Sequence, residues 1–415
     1  MRMPNILVIN AGSSSIKYQL IDPLGERRIA SGLVERIGED VGRVVHRSDG
    51  IGAGGAGGTG GAGQRELDLP IPDHTAGFAA MDRVFAEAGS PLGHCDIVAV
   101  GHRVVQGGSE FVRPTRIDGG VADRILDLSA LAPLHNPGHH QAITAALAAF
   151  SDVPHVAVFD TAFHQSMPRS AYTYAISPEA AERHGVRRYG FHGISHEVVS
   201  RRAARFLGRP VDDLKQIVLH LGNGASACAV DGGRSVATSM GMTPLEGLVM
   251  GTRSGDIDPG ALLHLLRAGL DANELDRLLN RDSGLRAFAG SNDMRDVRAK
   301  AEGGDEGARL VLDLYVGRIR HYIGAYLAEL GGADAIVFTA GVGENSAPTR
   351  AEACAGLEWF GIEIDAERND APYDGEPRRI STDASRVAVL VVPTDEEAEI
   401  ARQTWALVGD AAGRG

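Results

Sequence analysis

Residues 5–10 read NILVIN, residues 11–15 AGSSS and residues 16–21 IKYQLI. Two apolar runs joined by a short polar turn predict an antiparallel hairpin that opens a buried sheet. The plan returns half a chain later, where residues 216–221 (QIVLHL) read as a strand, 222–226 (GNGAS) as a tight turn and 227–230 as the returning strand. A second match joins residues 155–159 (HVAVF), running into Asp160-Thr161-Ala162, with residues 335–338 (AIVF), running into Thr339-Ala340-Gly341. Longer helical stretches alternate with these runs, the pattern of an α/β protein. Each half carries an opening hairpin and a later strand that ends in small residues. That predicts an internal duplication, two similar domains related by a pseudo-two-fold rotation and facing each other across a cleft.

The composition suits a globular chain of that size. Of 415 residues, 43% are hydrophobic and 23% charged, which excludes disorder and suffices for the cores of two domains. A net charge of -13 opposes binding to nucleic acid or to an anionic membrane. Cys95, Cys228 and Cys354 lie far apart with no CxxC, as expected in a reducing compartment and not in a disulfide or zinc framework. No apolar run has the length of a membrane span, so a soluble, cytoplasmic protein is expected. Residues 50–63 are almost entirely Gly and Ala and read as a flexible surface insertion. The GxGxxG formed there by Gly50, Gly52 and Gly55 follows no strand and opens no helix, and is set aside as chance.

No Walker-type loop is present, but other turns can hold phosphate. Residues 10–15 (NAGSSS) and 222–224 (GNG) offer backbone N–H groups without the Cβ atoms that would keep an anion away. Residues 341–345 (GVGEN) follow a strand and precede an expected helix, where open α/β sheets bind nucleotides. Singly, each is an ordinary connection, since Gly, Asn and Ser dominate turns. At matched points of two halves they favour a nucleotide cleft.

These turns sit within longer blocks: NAGSSSIK at 10–17, GHRVV at 101–105, APLHNP at 132–137, FDTAFH at 159–164, YGFHGISH at 189–196 and HLGNG at 220–224. TSMGMTPLEGLVMGTRSGDID at 238–258, DMR at 293–295, FTAGVGENS at 338–346 and PTDEE at 393–397 continue the series. In this order, from residue 5 to 397, the chain resembles the acetate kinase family. The resemblance implies an actin-like, sugar-kinase-like ATPase fold: α/β, with two duplicated ribonuclease H-like domains and a central nucleotide cleft. It implies domains at 1–161 with 394–415 and at 162–393, the second holding the nucleotide and a homodimer interface. The implied reaction is reversible transfer of the ATP γ-phosphoryl group to acetate, giving ADP and acetyl phosphate, with Mg²⁺ as the metal and Mn²⁺ as its substitute.

An acceptor acid with a pKa of about 4 to 5, like a Glu side chain, is already ionised, so such a site needs cations to bring two anions together more than it needs a base. Arg103 and Arg253 match the family's acceptor and transition-state arginines, and a guanidinium grips carboxylate or phosphoryl oxygens in pairs. His192 matches the histidine that hydrogen-bonds the moving phosphoryl group. Asp160 matches the aspartate near the acceptor, and its expected part is to orient an arginine or aid the metal. Val105, Leu134, Phe191 and Pro244 match the pocket for the acetate methyl. Ser13, Ser15 and Lys17 match the first phosphate loop, and His220, Leu221, Gly222, Asn223 and Gly224 the second. Asp293, Met294 and Arg295 match the adenine side, and Gly341, Val342, Gly343, Glu344 and Asn345 the adenosine side. Asn10 and Glu396 match the metal side, which implies that the C-terminal segment returns to the first domain, with Glu397 pointing elsewhere. Outside these motifs the same residues would be surface arginines, core apolar residues and an exposed ion pair. Around His135, His139 and His140, Pro137 and Gly138 argue against a helical face, so a strand–loop junction without metal is expected.

Gln106 stands where the family has His, Ile194 where it has Thr, Ala225 where it has Ser and Ala237 where it has Asp, and the Gly-Ala insertion has no counterpart. A propionate or butyrate kinase is the near alternative. An ATPase that uses its cleft only as a conformational switch is the distant one, and it would have no use for arginines and a histidine in acceptor motifs.

Overall fold

The computed structural model describes residues 4–25, 27–48 and 63–412. The Gly-Ala insertion, apart from Gly63, lies outside them. The chain divides into two compact units, Met1–Ala162 with Asp395–Gly415, and Phe163–Thr394.

The first unit is built on strands β1 (Asn5–Ala11), β2 (Ser15–Asp22), β3 (Arg27–Glu35), β4 (Gly42–Ser48), β5 (Gly63–Leu69), β6 (Ile97–Val104), β7 (Thr115–Arg116) and β8 (His155–Phe159). They form one sheet in the order β5-β4-β3-β2-β1-β6-β8-β7. β1 to β5 are an antiparallel meander, whereas β6 runs parallel to β1 and β8 parallel to β6. Ile6, Leu7, Val8 and Ile9 are all buried, as a central strand covered on both faces requires. Leu7, Ile9 and Ala11 pack with Phe78, Met81 and Ala142 from the helices His74–Glu87 and Asn136–Ala149. The helix Glu396–Ala412 packs on β1, β6 and β8. Gly101 admits it: a Cβ there would lie 2.5 Å from Thr404 Oγ1 and 2.9 Å from Ile400 Cγ2.

The second unit has β9 (Lys215–Leu221), β10 (Ala225–Asp231), β11 (Arg234–Thr238), β12 (Ala335–Thr339), β13 (Arg378–Arg379) and β14 (Ala388–Val391), in the order β11-β10-β9-β12-β14-β13. β9 is antiparallel to β10 and parallel to β12, which is parallel to β14. Val198, Val199 and Ala203 of the helix Gly193–Phe206 pack with Val218, Val230 and Val337.

The shared plan is β3-β2-β1-β6-β8 in one unit and β11-β10-β9-β12-β14 in the other, so the duplication is real at the level of topology. Three sequence expectations change in detail. β12 is the counterpart of β6, not of β8, because each lies next to the first strand of its sheet; β8 answers to β14. The turn after β9 is shorter than 222–226, since Ala225 already pairs with Leu221 and Ser226 with His220. His139 and His140 lie in a helix that starts at Asn136 and not at a strand–loop junction, because Pro137 occupies the first turn, where a missing N–H costs nothing.

Candidate active site

In the first unit the hairpin turn after β1 is braced from two sides. His74 Nε2 bonds Gly12 O at 2.9 Å, and Gly138 lets the start of its helix approach so closely that a Cβ would lie 2.9 Å from Ser13 N. Ser13 is exposed and Ser15 half-buried, with Gly12 N donating to Ser15 O at 2.8 Å. β6 delivers Arg103, and the end of β8 delivers Asp160, whose side chain is 2% exposed. Their contact is bidentate: Nε to Oδ1 at 3.0 Å and Nη2 to Oδ2 at 2.8 Å. Glu396, in the first turn of the C-terminal helix, places Oε2 3.4 Å from Arg103 Nη1. Glu397 does not point away from this cluster; its Oε1 takes Lys17 Nζ at 2.5 Å, and Lys17 is the register partner of Asn10 across β1 and β2.

Burial works against the Arg103 charge, but Asp160, Glu396 and Glu397 outweigh it and raise its pKa, so it is a permanent cation. Burial raises the pKa of Glu396, reinforced by Asp160 and Glu397 and opposed by Arg103 and Lys17. Asp160 commits both oxygens to Arg103 and Glu397 one to Lys17, whereas the Glu396 contact to Arg103 is longer, at 3.4 Å, so Glu396 has carboxylate oxygen to offer, a donor that suits a hard divalent cation. Val105 and Leu134 also belong to this unit, half-buried and exposed respectively.

In the second unit, Phe191 is buried and its carbonyl takes His164 Nε2 at 2.9 Å. His192 follows at φ 55°, a left-handed conformation that costs energy for a residue other than Gly and is characteristic of functional sites. Its Nδ1 lies 2.9 Å from Ser226 Oγ, and its ring stacks on His220 with centroids 4.2 Å apart. Arg253 Nη1 donates to the carbonyl of half-buried Pro244 at 3.0 Å and approaches Met250 Sδ at 3.9 Å, both neutral. Burial lowers its pKa. A Cβ at Gly224 would lie 3.4 Å from His192 Nε2 and 3.7 Å from Arg253 Nη1, so the glycine, the histidine and an arginine without a carboxylate partner among the described residues converge.

Next to them is a cleft of about 770 Å³ lined by Gly222, Asn223, Asp293, Met294, Arg295, Gly341, Val342 and Asn345. Asp293 caps the helix Met294–Glu302 and pairs with the exposed Arg295, which holds the Asp293 carboxyl down at about 2. Gly341–Asn345 is not a turn but part of a short helix, Ala340–Asn345, and the helix expected after it is Ala347–Cys354. Four expected residues stand behind the cleft. His220 Nδ1 bonds Ser195, Leu221 is buried, Gly343 packs on Phe338, and the Glu344 carboxylate takes the N–H groups of Ala340 and Thr394. Asn292, Arg298, Ser346 and Pro348 also line it; Ser346 stood in a quoted block, and Asn292 directly precedes one. The departures at Ile194 and Ala225 are buried apolar positions, and Gln106 turns its Oε1 to Gly108 N at 2.9 Å.

Two sheets of one strand order, with a cleft of about 770 Å³ beside the glycine turn of the second, belong to a phosphotransferase of the sugar-kinase and actin-like ATPase fold. The chain belongs to the acetokinase family, whose model matches residues 5–402. It is 60% identical to the acetate kinase of Leifsonia xyli over 97% of this chain and 98% of that protein. Among solved structures it resembles the acetate kinase of Porphyromonas gingivalis (TM-score 0.90, 39% identity, 98% of this chain and 100% of that one). It also resembles a propionate kinase from Francisella tularensis (TM-score 0.88, 38% identity, 97% and 100%). Among the described residues no helix is long and apolar enough to cross a membrane.

Proposed function

We propose that the protein is an acetate kinase, exchanging ATP and acetate for ADP and acetyl phosphate. An acetate oxygen forms the new P–O bond as the bond from the γ-phosphorus to the β,γ-bridging oxygen breaks, its electron pair leaving with ADP. No proton has to move. The observation that carries the reading is the bidentate Arg103–Asp160 pair: a carboxylate that commits both oxygens to a guanidinium orients it and is not poised as a base, which suits an acceptor already ionised. Arg103 receives the acetate carboxylate. Arg253, whose partners among the described residues are neutral, keeps its charge for the phosphoryl oxygens, with His192 as a further donor. The second unit's cleft takes the adenosine between Arg295 and the helix Ala340–Asn345, and the glycines at 222 and 224 leave room for phosphate.

Mg²⁺ would be held by Glu396 and Asn10, completing its shell from phosphates and water; when bound it offsets charge on the β- and γ-phosphates. Val105, Leu134, Phe191 and Pro244 would enclose the methyl group. One methylene is worth about 1 to 3 kcal/mol in such a pocket, so propionate is a poorer substrate. A homodimer is part of the same reading, supported by the helix Pro259–Arg267, none of whose side chains is buried. The test is acyl phosphate formation from ATP, Mg²⁺ and acetate, propionate or butyrate, trapped as the hydroxamate. A signal strongest with acetate and lost in Arg253→Ala is expected; ATP hydrolysis with no acyl phosphate from any acid would replace the reading by a switch ATPase.

A further inference from the structure

We propose that Ser226 and His196 are positioning residues that set the tautomer of His192, so that His192 turns an Nε2–H, and not a bare nitrogen, toward the transferring phosphoryl group. The inference rests on the phosphotransferase reading above and adds to it two buried residues without a part so far.

Ser226, fully buried in β10, lies between two imidazoles. Its Oγ is 2.9 Å from His192 Nδ1 and 2.8 Å from His196 Nε2. A hydroxyl has one proton, so it donates to one ring and accepts from the other. Two neutral arrangements satisfy both contacts. In the first, His196 Nε2–H donates to Ser226 Oγ, Ser226 donates to His192 Nδ1, and the His192 proton sits on Nε2. In the second, each donor is reversed, and the His196 proton sits on Nδ1.

His196 Nδ1 decides between them. It is buried and has no hydrogen-bond partner among the described residues. The second arrangement strands an N–H there, and an orphaned buried donor is the rarer defect in folded proteins. The first leaves only a lone pair, and it puts both rings in the Nε2–H tautomer that neutral histidine intrinsically prefers. Burial keeps His196 neutral, helped by the neighbouring rings of His164 and His220, so a doubly protonated His196 does not offer a way round the choice.

The rest of the surroundings aim the proton. The Cε1–Nε2 edge of His192 faces Gly224, where a Cβ would lie 3.4 Å from either atom. Stacking on His220 fixes the ring plane. His220 is tied through Nδ1 to Ser195 Oγ at 2.8 Å, and Ser195 to Thr394 Oγ1 at 2.9 Å.

The experiment is a long-range ¹H–¹⁵N correlation spectrum of full-length protein labelled with ¹⁵N-histidine, with His192 assigned by its disappearance in His192→Asn. A protonated Nε2 and an unprotonated Nδ1 at His192 are expected in the wild type, and a mixture of tautomers in Ser226→Ala. In the hydroxamate assay Ser226→Ala should lower kcat roughly tenfold or more, with KM for ATP and acetate within about twofold. A wild-type His192 protonated on Nδ1 overturns the proposal, whether or not the variant folds. So does a folded Ser226→Ala with unchanged kcat. If the wild type made no acyl phosphate, the acetate kinase reading would fall, while the spectrum would still report the tautomer in the resting protein.

Discussion

Two arginines of the proposed site differ in what surrounds them, and the difference separates their roles. Arg103 is tied to Asp160 and Glu396, so Arg103→Ala leaves largely buried carboxylates uncompensated, a loss of about 3–5 kcal/mol. Among the described residues, the Arg253 side chain hydrogen-bonds a carbonyl and a thioether and no carboxylate. Arg253→Ala should therefore melt close to the wild type while kcat falls by about 10²–10³. Thermal unfolding and kcat measured on both variants check this, and equal losses of stability would contradict it. His46 gives a second residue-scale expectation. It is buried against Phe85, and its Nδ1 lies 3.0 Å from the Tyr18 hydroxyl, which donates to it while the ring is neutral. Burial lowers its pKa to about 4, against about 6.5 in the unfolded chain. The unfolded state then binds more protons between these values, so stability rises with pH across that window and is lost on acidification from about 6.5 to 4, on the order of 3 kcal/mol from this group. Denaturant unfolding from pH 7 to pH 4 should show a shallower loss in His46→Leu than in the wild type; parallel curves would exclude the assignment. Nothing in the sequence marks His46 for this part, because its partners come from two other elements. Arg103, Arg253 and His192 were legible only because each stood within a long motif.

At the scale of the element, the opening hairpins were readable because a short turn between two apolar runs leaves little freedom of pairing, and β1 with β2 and β9 with β10 pair accordingly. The later strands were not, since β6, β8, β12 and β14 are all short apolar runs, and only the order in the sheet tells which correspond. Nor was Gly101 readable. It sits in the middle of β6, where Gly normally weakens a strand, and its reason lies some three hundred residues away in the helix carrying Glu396 and Glu397. Gly101→Ala should push that helix off the sheet, cost about 1–3 kcal/mol and lower activity by displacing Glu396 from Arg103. Thr404→Ala removes the atom that the new Cβ would strike, and Thr404 Oγ1 has no hydrogen-bond partner among the described residues to lose. The double variant should regain much of both stability and activity relative to Gly101→Ala alone. Additive losses in unfolding experiments would show that the contact is not what constrains residue 101.

For the whole molecule, the duplication explains why site residues lie so far apart in sequence. Each sheet presents turns at the ends of equivalent strands, and the chain changes unit after β8 and again after β14. After each change a helix covers the sheet of the unit just entered, Gly193–Phe206 on β9 and β12 of the second unit, and Glu396–Ala412 on β1 and β6 of the first. The second unit also carries surface that its own core does not use. Pro259–Arg267 reads PGALLHLLR, and Leu263 and Leu266 are 51% and 39% exposed. A helix rich in leucine with no buried residue gains little from its own unit, whereas burying one leucine fully is worth about 1.5–3 kcal/mol. That is the behaviour expected of a surface covered by a second copy. Light scattering should give about twice the 43.6 kDa chain mass for the wild type, and a shift toward the single chain for Leu263→Glu with Leu266→Glu. If the wild type is itself a single chain in solution, or if the double substitution leaves its mass unchanged, this helix is not the interface.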